Sequence, residues 1–303
     1  MQDATAGDPI TGIKWSRKTL RALARALRSK GFKVGFVTIR RLLRKLGYAI
    51  RVNRKRLTKK QDPERDRQMR YLARARRRVL QAGKPVISVD TKKRELIGNF
   101  KNAGGTWRQQ ARAVLMYDWP SDADGVAIPF GIYDVVHNEG FVVVGTSHQT
   151  PEFAVAAIRR WWLRVGKARY PDTDELLIEC DGGNPNGNRS WRWKYGLQQL
   201  ANESGLTIIV THYPTGASKW NPIEHRLFSQ ISGNWAGEPL INYETVLNFI
   251  RTTKTDTGLR CKAYLDKTVY KTRLQLTLEQ KERINLFPHR VLPGLNYTIK
   301  PHG

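Results

Sequence analysis

Val86-Ile87-Ser88-Val89-Asp90 and Leu176-Leu177-Ile178-Glu179-Cys180-Asp181-Gly182-Gly183 each hold a largely apolar run of strand length followed directly by an aspartate. Short apolar runs of this kind, bounded by turn residues, read as buried strands. An Asp directly after each run puts a carboxylate at the carboxyl end of a strand, where open α/β sheets form the crevice that holds ligands. On neighbouring strands the two acids face one site. Gly182 and Gly183 let the backbone turn sharply and leave room for a metal ion or a phosphate. Either Asp taken alone also reads as a turn former, so the decision rests on what surrounds them.

Working outward, further strands are expected over 113–117, 128–136, 141–146 and 207–211. Helices are expected over 152–164, 190–203, 222–231 and 243–253, from apolar residues at helical spacing. Several strands in a row, followed by helix, strand, helix, strand and helix, is the order of a ribonuclease-H-like mixed sheet flanked by helices. The expected fold class is therefore α/β.

A third acid lies in Ser218-Lys219-Trp220-Asn221-Pro222-Ile223-Glu224-His225-Arg226. Asn221 suits a helix cap and Pro222 the first helical position, which places Glu224 in the first turn. A carboxylate there also serves simply to complement the helix dipole. Asp181 follows Asp90 by 91 positions, and Glu224 follows Asp181 by 43. Three carboxylates gathered together repel one another unless a cation neutralises them, and hard oxygen donors select Mg²⁺ or Mn²⁺. Asp90, Asp181 and Glu224 are thus the candidate metal ligands and catalytic groups. Two ions held there suit an in-line displacement at phosphorus without a covalent protein nucleophile. Competing acids are Asp118 and Asp134, near the ends of strand-like runs, and Glu179, which shares the face of Asp181 if the strand is regular. His225 reads as a surface residue or a phosphate contact. Trp220 reads as packing against the helix or, alternatively, stacking on a flipped base.

The charge is unevenly placed. The 303 residues carry a formal net charge of +27, and residues 1–84 hold 26 of the 53 Lys and Arg but only five of the 26 Asp and Glu. A segment this basic binds phosphate backbone by counterion release. Within it, Leu20, Leu23, Ala24 and Leu27, then Val37, Ile39, Leu42, Leu43 and Leu46, recur at helical spacing around a connector containing Gly31 and Gly35. This is the outline of a helix-turn-helix-like region, with Thr38, Arg40, Arg41, Arg44 and Lys45 as its groove-facing candidates, although a plain basic helical hairpin has the same spacing. A polar basic linker over 51–60 and a cationic connecting helix over 64–80 follow. The expected organisation is 1–50 DNA-binding, 51–84 linker and connecting helix, 85–255 catalytic domain and 256–303 a C-terminal extension.

Forty per cent apolar residues, with nine Trp and eleven Tyr, indicate a packed core. Cys180 and Cys261 stand far apart and suggest neither a disulfide framework nor a zinc cluster. The sequence shows no membrane segment and no export signal, and a reducing cytoplasm is expected.

The segments Val86 to Lys93, Gly131-Ile132-Tyr133-Asp134-Val135, Asn138-Glu139-Gly140-Phe141, Arg159-Arg160-Trp161-Trp162, Asp181-Gly182-Gly183 and Lys219 to Phe228 together resemble the ISAzo-thirteen family of bacterial insertion-sequence transposases. The likeness runs from about Asp8 onward. The Asn221-Pro222-Ile223-Glu224 run is also similar to the last acidic motif of mariner-type transposases. The resemblance implies that Asp90 and Asp181 are the first and second catalytic aspartates and Glu224 the third acid. It also implies metal-dependent cutting and joining of double-stranded DNA at terminal inverted repeats and target DNA, by a homo-oligomer on that DNA. Lys92, Lys93, Lys219 and Arg226 flank the acids as candidate phosphate contacts. The chain departs from the family at Asn184-Pro185-Asn186-Gly187, where a run richer in Gly and Ser is expected, and family chains extend further at the N-terminus. Two other readings stand beside this one: a non-catalytic DNA-binding protein derived from a truncated transposase, and a structure-specific nuclease that cuts without joining.

Overall fold

Thr19 opens the first helix by accepting the Ala22 N–H on its hydroxyl at 3.2 Å, the usual means of satisfying a free helix-end donor. In the computed structural model residues 19–50, 63–217 and 220–303 are described in full, with the backbone of two short antiparallel strands, β1 (Thr5–Gly7) and β2 (Lys14–Ser16), ahead of them. The chain divides into two units, Met1–Lys59 and Lys60–Gly303.

In the first unit α1 (Leu20–Arg28) and α2 (Phe36–Lys45) are joined through Gly31, whose φ of +87° turns the chain after the helix. Leu23 and Ile39 are buried. Val37, Leu42 and Leu46, which the same periodicity assigns to the inner face, are exposed. The basic linker expected over 51–60 lies outside the described residues.

The second unit begins with α3 (Arg65–Gln81) and builds one mixed sheet. Its first strands are β3 (Val86–Thr91), β4 (Glu95–Ile97), β5 (Gly125–Asp134) and β6 (Glu139–Gly145). Then come α4 (Pro151–Trp161), a π-helical turn at Trp162–Gly166, and α5 (Lys167–Arg169). The alternation continues with β7 (Glu175–Cys180), α6 (Trp191–Ser204) and β8 (Thr207–His212). A second π-helical turn at Glu224–Phe228 runs into α7 (Ser229–Asn234) and is followed by α8 (Tyr243–Thr252). The remainder is β9 (Arg260–Asp266), α9 (Leu278–Glu282), β10 (Leu286–Pro288) and β11 (Asn296–Ile299).

Among the described residues the sheet has nine strands in the order β10-β11-β8-β7-β3-β5-β6-β9, with β4 paired to β5. β5 runs antiparallel to β3 and β6 antiparallel to β5, while β7 and β8 add in parallel on the other side of β3. Those five strands, in the order β6-β5-β3-β7-β8, are the ribonuclease-H-like core that the element order predicts.

Strand alternation sorts the side chains onto two faces. Ile87, Val89, Ile178 and Cys180 pack with Phe153, Trp161, Trp193 and Leu197 from α4 and α6. On the other face Tyr133, Val142 and Val144 pack with Ile223, Leu227, Phe228, Ile231 and Trp235. There α3 covers Val86, Leu177 and Ile209 with Val79. Arg76 of α3 reaches Glu179, donating from Nε at 2.8 and 3.1 Å to its two oxygens.

Two expectations are corrected. Residues 113–117 form no strand: they lie mostly exposed with no strand beside them, and β4 takes the position against β5. The segment 256–303 is no appendage to the sheet. β9 pairs in parallel with β6, and β11 pairs antiparallel with β8, so the division at 255 falls inside the sheet. Among the described residues no helix is long and apolar enough to cross a membrane.

Candidate active site

Parallel pairing sets the two aspartates side by side. Val89 is opposite Cys180 in the β3–β7 register, so Asp90 and Asp181 are the next residues on adjacent strands. Glu224 arrives on a helical segment packed against the face that carries Ser88 and Asp90. Gly131, the partner of Asp90 on β5, allows this, because a Cβ there would stand 2.6 Å from Phe228 and 2.9 Å from Ile223. The absence of a side chain lets the Glu224 helix rest directly on the sheet.

Ser88 fixes the start of that helix. Its hydroxyl donates to Asn221 Oδ1 and accepts the Ile223 N–H at 3.3 Å. The expected cap by the Asn221 side chain is therefore supplied by a serine from β3, two residues before Asp90. Asn221 instead turns its side-chain oxygen to Ser88, and its backbone carbonyl accepts the Glu224 N–H at 3.1 Å. One hydroxyl thus links the strand of the first acid to the helix of the third.

The three acids converge electrostatically. Asp90 is 7% exposed. Burial, then the charge of Asp181, then that of Glu224 push its carboxyl up to about 8, against a single opposing N–H from Thr91 at 2.7 Å. The nearness of Glu224 further favours the protonated form of Asp90. Asp181 is raised by burial, while the Gly183 N–H at 3.1 Å and His212 draw it back. Glu224 is also raised by burial, and His225 and Lys92 moderate it. Gly183 shows no positive φ; what its missing side chain provides is space, since a Cβ would lie 3.2 Å from Asp181 Oδ2.

Among the described residues no three His, Cys, Asp or Glu side chains are gathered as a complete metal-ligand set. The donor chemistry nonetheless fits a hard divalent cation. The charges of Asp181 and Glu224 raise the proton affinity of Asp90, and a cation relieves that repulsion.

The flanking cations divide. Lys92 is not presented to solvent: 9% exposed, it pairs with Glu95 at 2.7 Å and lies 4.4 Å over the Trp235 ring. It neutralises the acid cluster from within and does not extend toward an external phosphate. Lys93 and Arg226 are exposed, and Lys219 lies outside the described residues. Trp220 is 54% exposed, so packing does not account for the whole ring. On α2, Arg40, Arg41, Arg44 and Lys45 are exposed and Thr38 is half-buried.

The competing acids have other partners. Asp134 accepts from Tyr170 Oη at 3.0 Å and from Arg169 at 3.3 Å, Glu179 is held by Arg76, and Asp118 is exposed in the segment before β5. Sequence reasoning missed Ser88 and His212. The only local signal for Ser88 is a polar residue inside an apolar run, on the face that carries Asp90. His212 ends β8 fully buried, with Nδ1 2.9 Å from the Leu295 carbonyl and Nε2 2.9 Å from the Asn186 carbonyl. It ties the loop after Asp181 to the C-terminal segment.

Comparison with known proteins adds the following. The chain matches the family model described as the Rhodopirellula transposase DDE domain over residues 1–301. No curated protein matches it. Among solved structures it is similar to a Mos1 transposase paired-end complex with the left transposon end, at 13% identity and a TM-score of 0.45, covering 77% of this chain and 65% of that one. It is similar at the same values to a Mos1 mariner paired-end complex with Mn. A Mos1 strand transfer complex gives 13% identity and a TM-score of 0.43, over 77% and 64% of the two chains. The chain spans about two thirds of the length of these Mos1 chains.

Proposed function

Because the chain belongs to the Rhodopirellula transposase DDE domain family, we propose that Asp90, Asp181 and Glu224 catalyse cleavage and transfer of DNA strands at the terminal inverted repeats of an insertion sequence. The convergence of these three carboxylates, with Asp90 pushed up to about 8, carries the reading. A pair of Mg²⁺ or Mn²⁺ ions held by the three acids would supply the Lewis acidity for in-line attack of a water or a 3′-hydroxyl at phosphorus.

The chain's own residues do the positioning. The β3–β7 register presents Asp90 and Asp181 from one rigid platform, and Ser88 fixes the approach of Glu224. The proton that Asp90 retains must leave before it acts as a ligand, so cation binding would release it. Lys92 moderates the charge of Glu224, while the exposed Lys93 and Arg226 hold substrate phosphates. The helix-turn-helix-like region places Arg40, Arg41, Arg44 and Lys45 against double-stranded DNA, and two copies of the chain bring two ends together. The setting is the bacterial cytoplasm, on the nucleoid.

The test is to incubate the chain with its element's end DNA and an unrelated target in Mg²⁺ or Mn²⁺, beside Asp181→Ala. Joined products that vanish in the variant support the reading. Tight binding without cleavage by either protein refutes it and leaves a DNA-binding protein.

A further inference from the structure

In its seventeen residues α3 carries seven arginines and one acid, Asp66. Three of the arginines have carboxylate partners: Arg67 pairs with Glu64 at 3.1 Å, Arg76 with the buried Glu179, and Arg78 with Glu175 at 3.0 Å. Arg70, Arg74 and Arg77 are exposed, and among the described residues no carboxylate engages them. Spaced by four and then three positions, they stand in a row on one side of the helix, opposite the buried Leu72 and Val79. Like charges at this spacing repel one another, and an anion laid along the row relieves that repulsion.

The sheet fixes where this row points. Gln68 Nε2 donates to the His212 carbonyl at 2.8 Å, at the carboxyl end of β8, while Val79 packs on Val86 at the start of β3. Between them Arg76 grips Glu179, two residues before Asp181. α3 therefore runs antiparallel to these strands, and its row leads from the end of the sheet that carries the acids toward the opposite end. Alongside the row lies a cleft of about 630 Å³ between α3 and the β10–β11 edge, with Arg74, Arg78 and Lys300 exposed at its rim, His289 in its wall and the buried Ile209 in its floor. Glu175 also lines it and is engaged by Arg78. Burial, then the charge of Arg78, lowers the His289 pKa, so this ring stays neutral at neutral pH. Three cations against one carboxylate leave the cleft positive.

We propose that Arg70, Arg74 and Arg77, with Lys300 across the cleft, form a track for the sugar-phosphate backbone of duplex DNA, along which the duplex lies as it leads away from the acids. The proposal rests on the reading of the chain as a DNA strand transferase and adds the path of its substrate. From Arg70 to Arg77 the helix rises about 10 Å, a length over which one strand of a duplex presents about three phosphates. A free phosphate ion engages one of these cations, whereas a polyanion of regular spacing engages the row. The apolar floor meets deoxyribose while the rim meets phosphate. Contacts of this kind fix the position of a duplex without reading its sequence.

The experiment uses the full chain without divalent metal and a fluorescein-labelled duplex of unrelated sequence, with Kd read by anisotropy over a series of KCl concentrations. The variant with Arg70→Ala, Arg74→Ala, Arg77→Ala and Lys300→Ala is expected to flatten the slope of log Kd against log salt by about 3 to 4, roughly one released counterion for each contact. Arg70→Lys, Arg74→Lys and Arg77→Lys together keep the slope, because it counts charge. A comparison variant with Lys254, Lys267, Lys271 and Arg273, exposed cations around β9, all changed to Ala flattens it by less than about 1. An unchanged slope in the first variant, or equal flattening in both, overturns the proposal. So does a first variant that alters the sedimentation of the free protein while the slope persists, which would make the row a contact between copies. Metal-dependent joining of DNA by the unaltered chain reports on the strand-transfer reading separately. Its absence beside a slope set by α3 would remove that reading and leave the track.

Discussion

Burial and the charges of Asp181 and Glu224 hold Asp90 at about 8, against 3.8 for an ordinary aspartate, so the folded protein keeps a proton that the unfolded chain has released. The stability associated with that proton is fully present below about pH 3.8 and is lost as pH rises through about 8. The thermal midpoint of the metal-free protein is therefore expected to fall across that window. Asp90→Asn flattens the fall, and added Mg²⁺ restores the midpoint at the alkaline end. A midpoint that ignores pH would show that Asp90 holds no such proton. Glu179 presents the opposite case, a buried carboxylate whose partner is fixed. Arg76→Met leaves it with the Tyr213 hydroxyl but without its charge partner, and should cost about 3 kcal/mol in urea unfolding, most of it recovered in the Arg76→Met, Glu179→Leu double variant. The positions of the aspartates were legible because each directly follows a largely apolar run of strand length. Lys92 was not, since nothing local shows that Glu95 and Trp235 will enclose it. His212 was invisible because its partners lie at Asn186 and Leu295, far along the chain.

At the scale of elements, the Ser88 hydroxyl is the joint between β3 and the Glu224 helix. Ser88→Ala is expected to cost about 1 kcal/mol of stability, as lost helix caps do. It should lower strand-transfer rate by more than DNA affinity, since it loosens one acid relative to another. Equal loss in rate and affinity would make the contact merely structural. The core strands could be read in advance because burial on both faces leaves continuous apolar runs. The same rule misled at 113–117, an apolar stretch that no strand flanks. β9 escaped notice although Cys261 and Ala263 alternate with Arg260 and Lys262, inward and outward. Its pattern is that of an edge strand, weaker than that of a central one.

For the catalytic unit as a whole, the outer strands decide whether the inner ones are protected. β9 covers β6, and β11 with β10 covers β8. A chain ended at residue 255 is expected to lose cooperative thermal unfolding and to aggregate, because it leaves both rows of backbone donors and acceptors unpaired. A soluble, cooperatively melting truncation would show that the five core strands suffice. The order of synthesis gives these strands a further meaning. They are translated after every strand they cover, and at roughly 5–20 residues per second the covering of β8 lags its emergence by several seconds. For most of that interval all three acids already exist on the nascent chain while the sheet beneath them is open at its margins. A message cut short before β9 would therefore yield a protein that carries all three carboxylates yet lacks the frame to hold them, so loss of residues 256–303 is expected to disable the product as surely as loss of Asp90, Asp181 or Glu224.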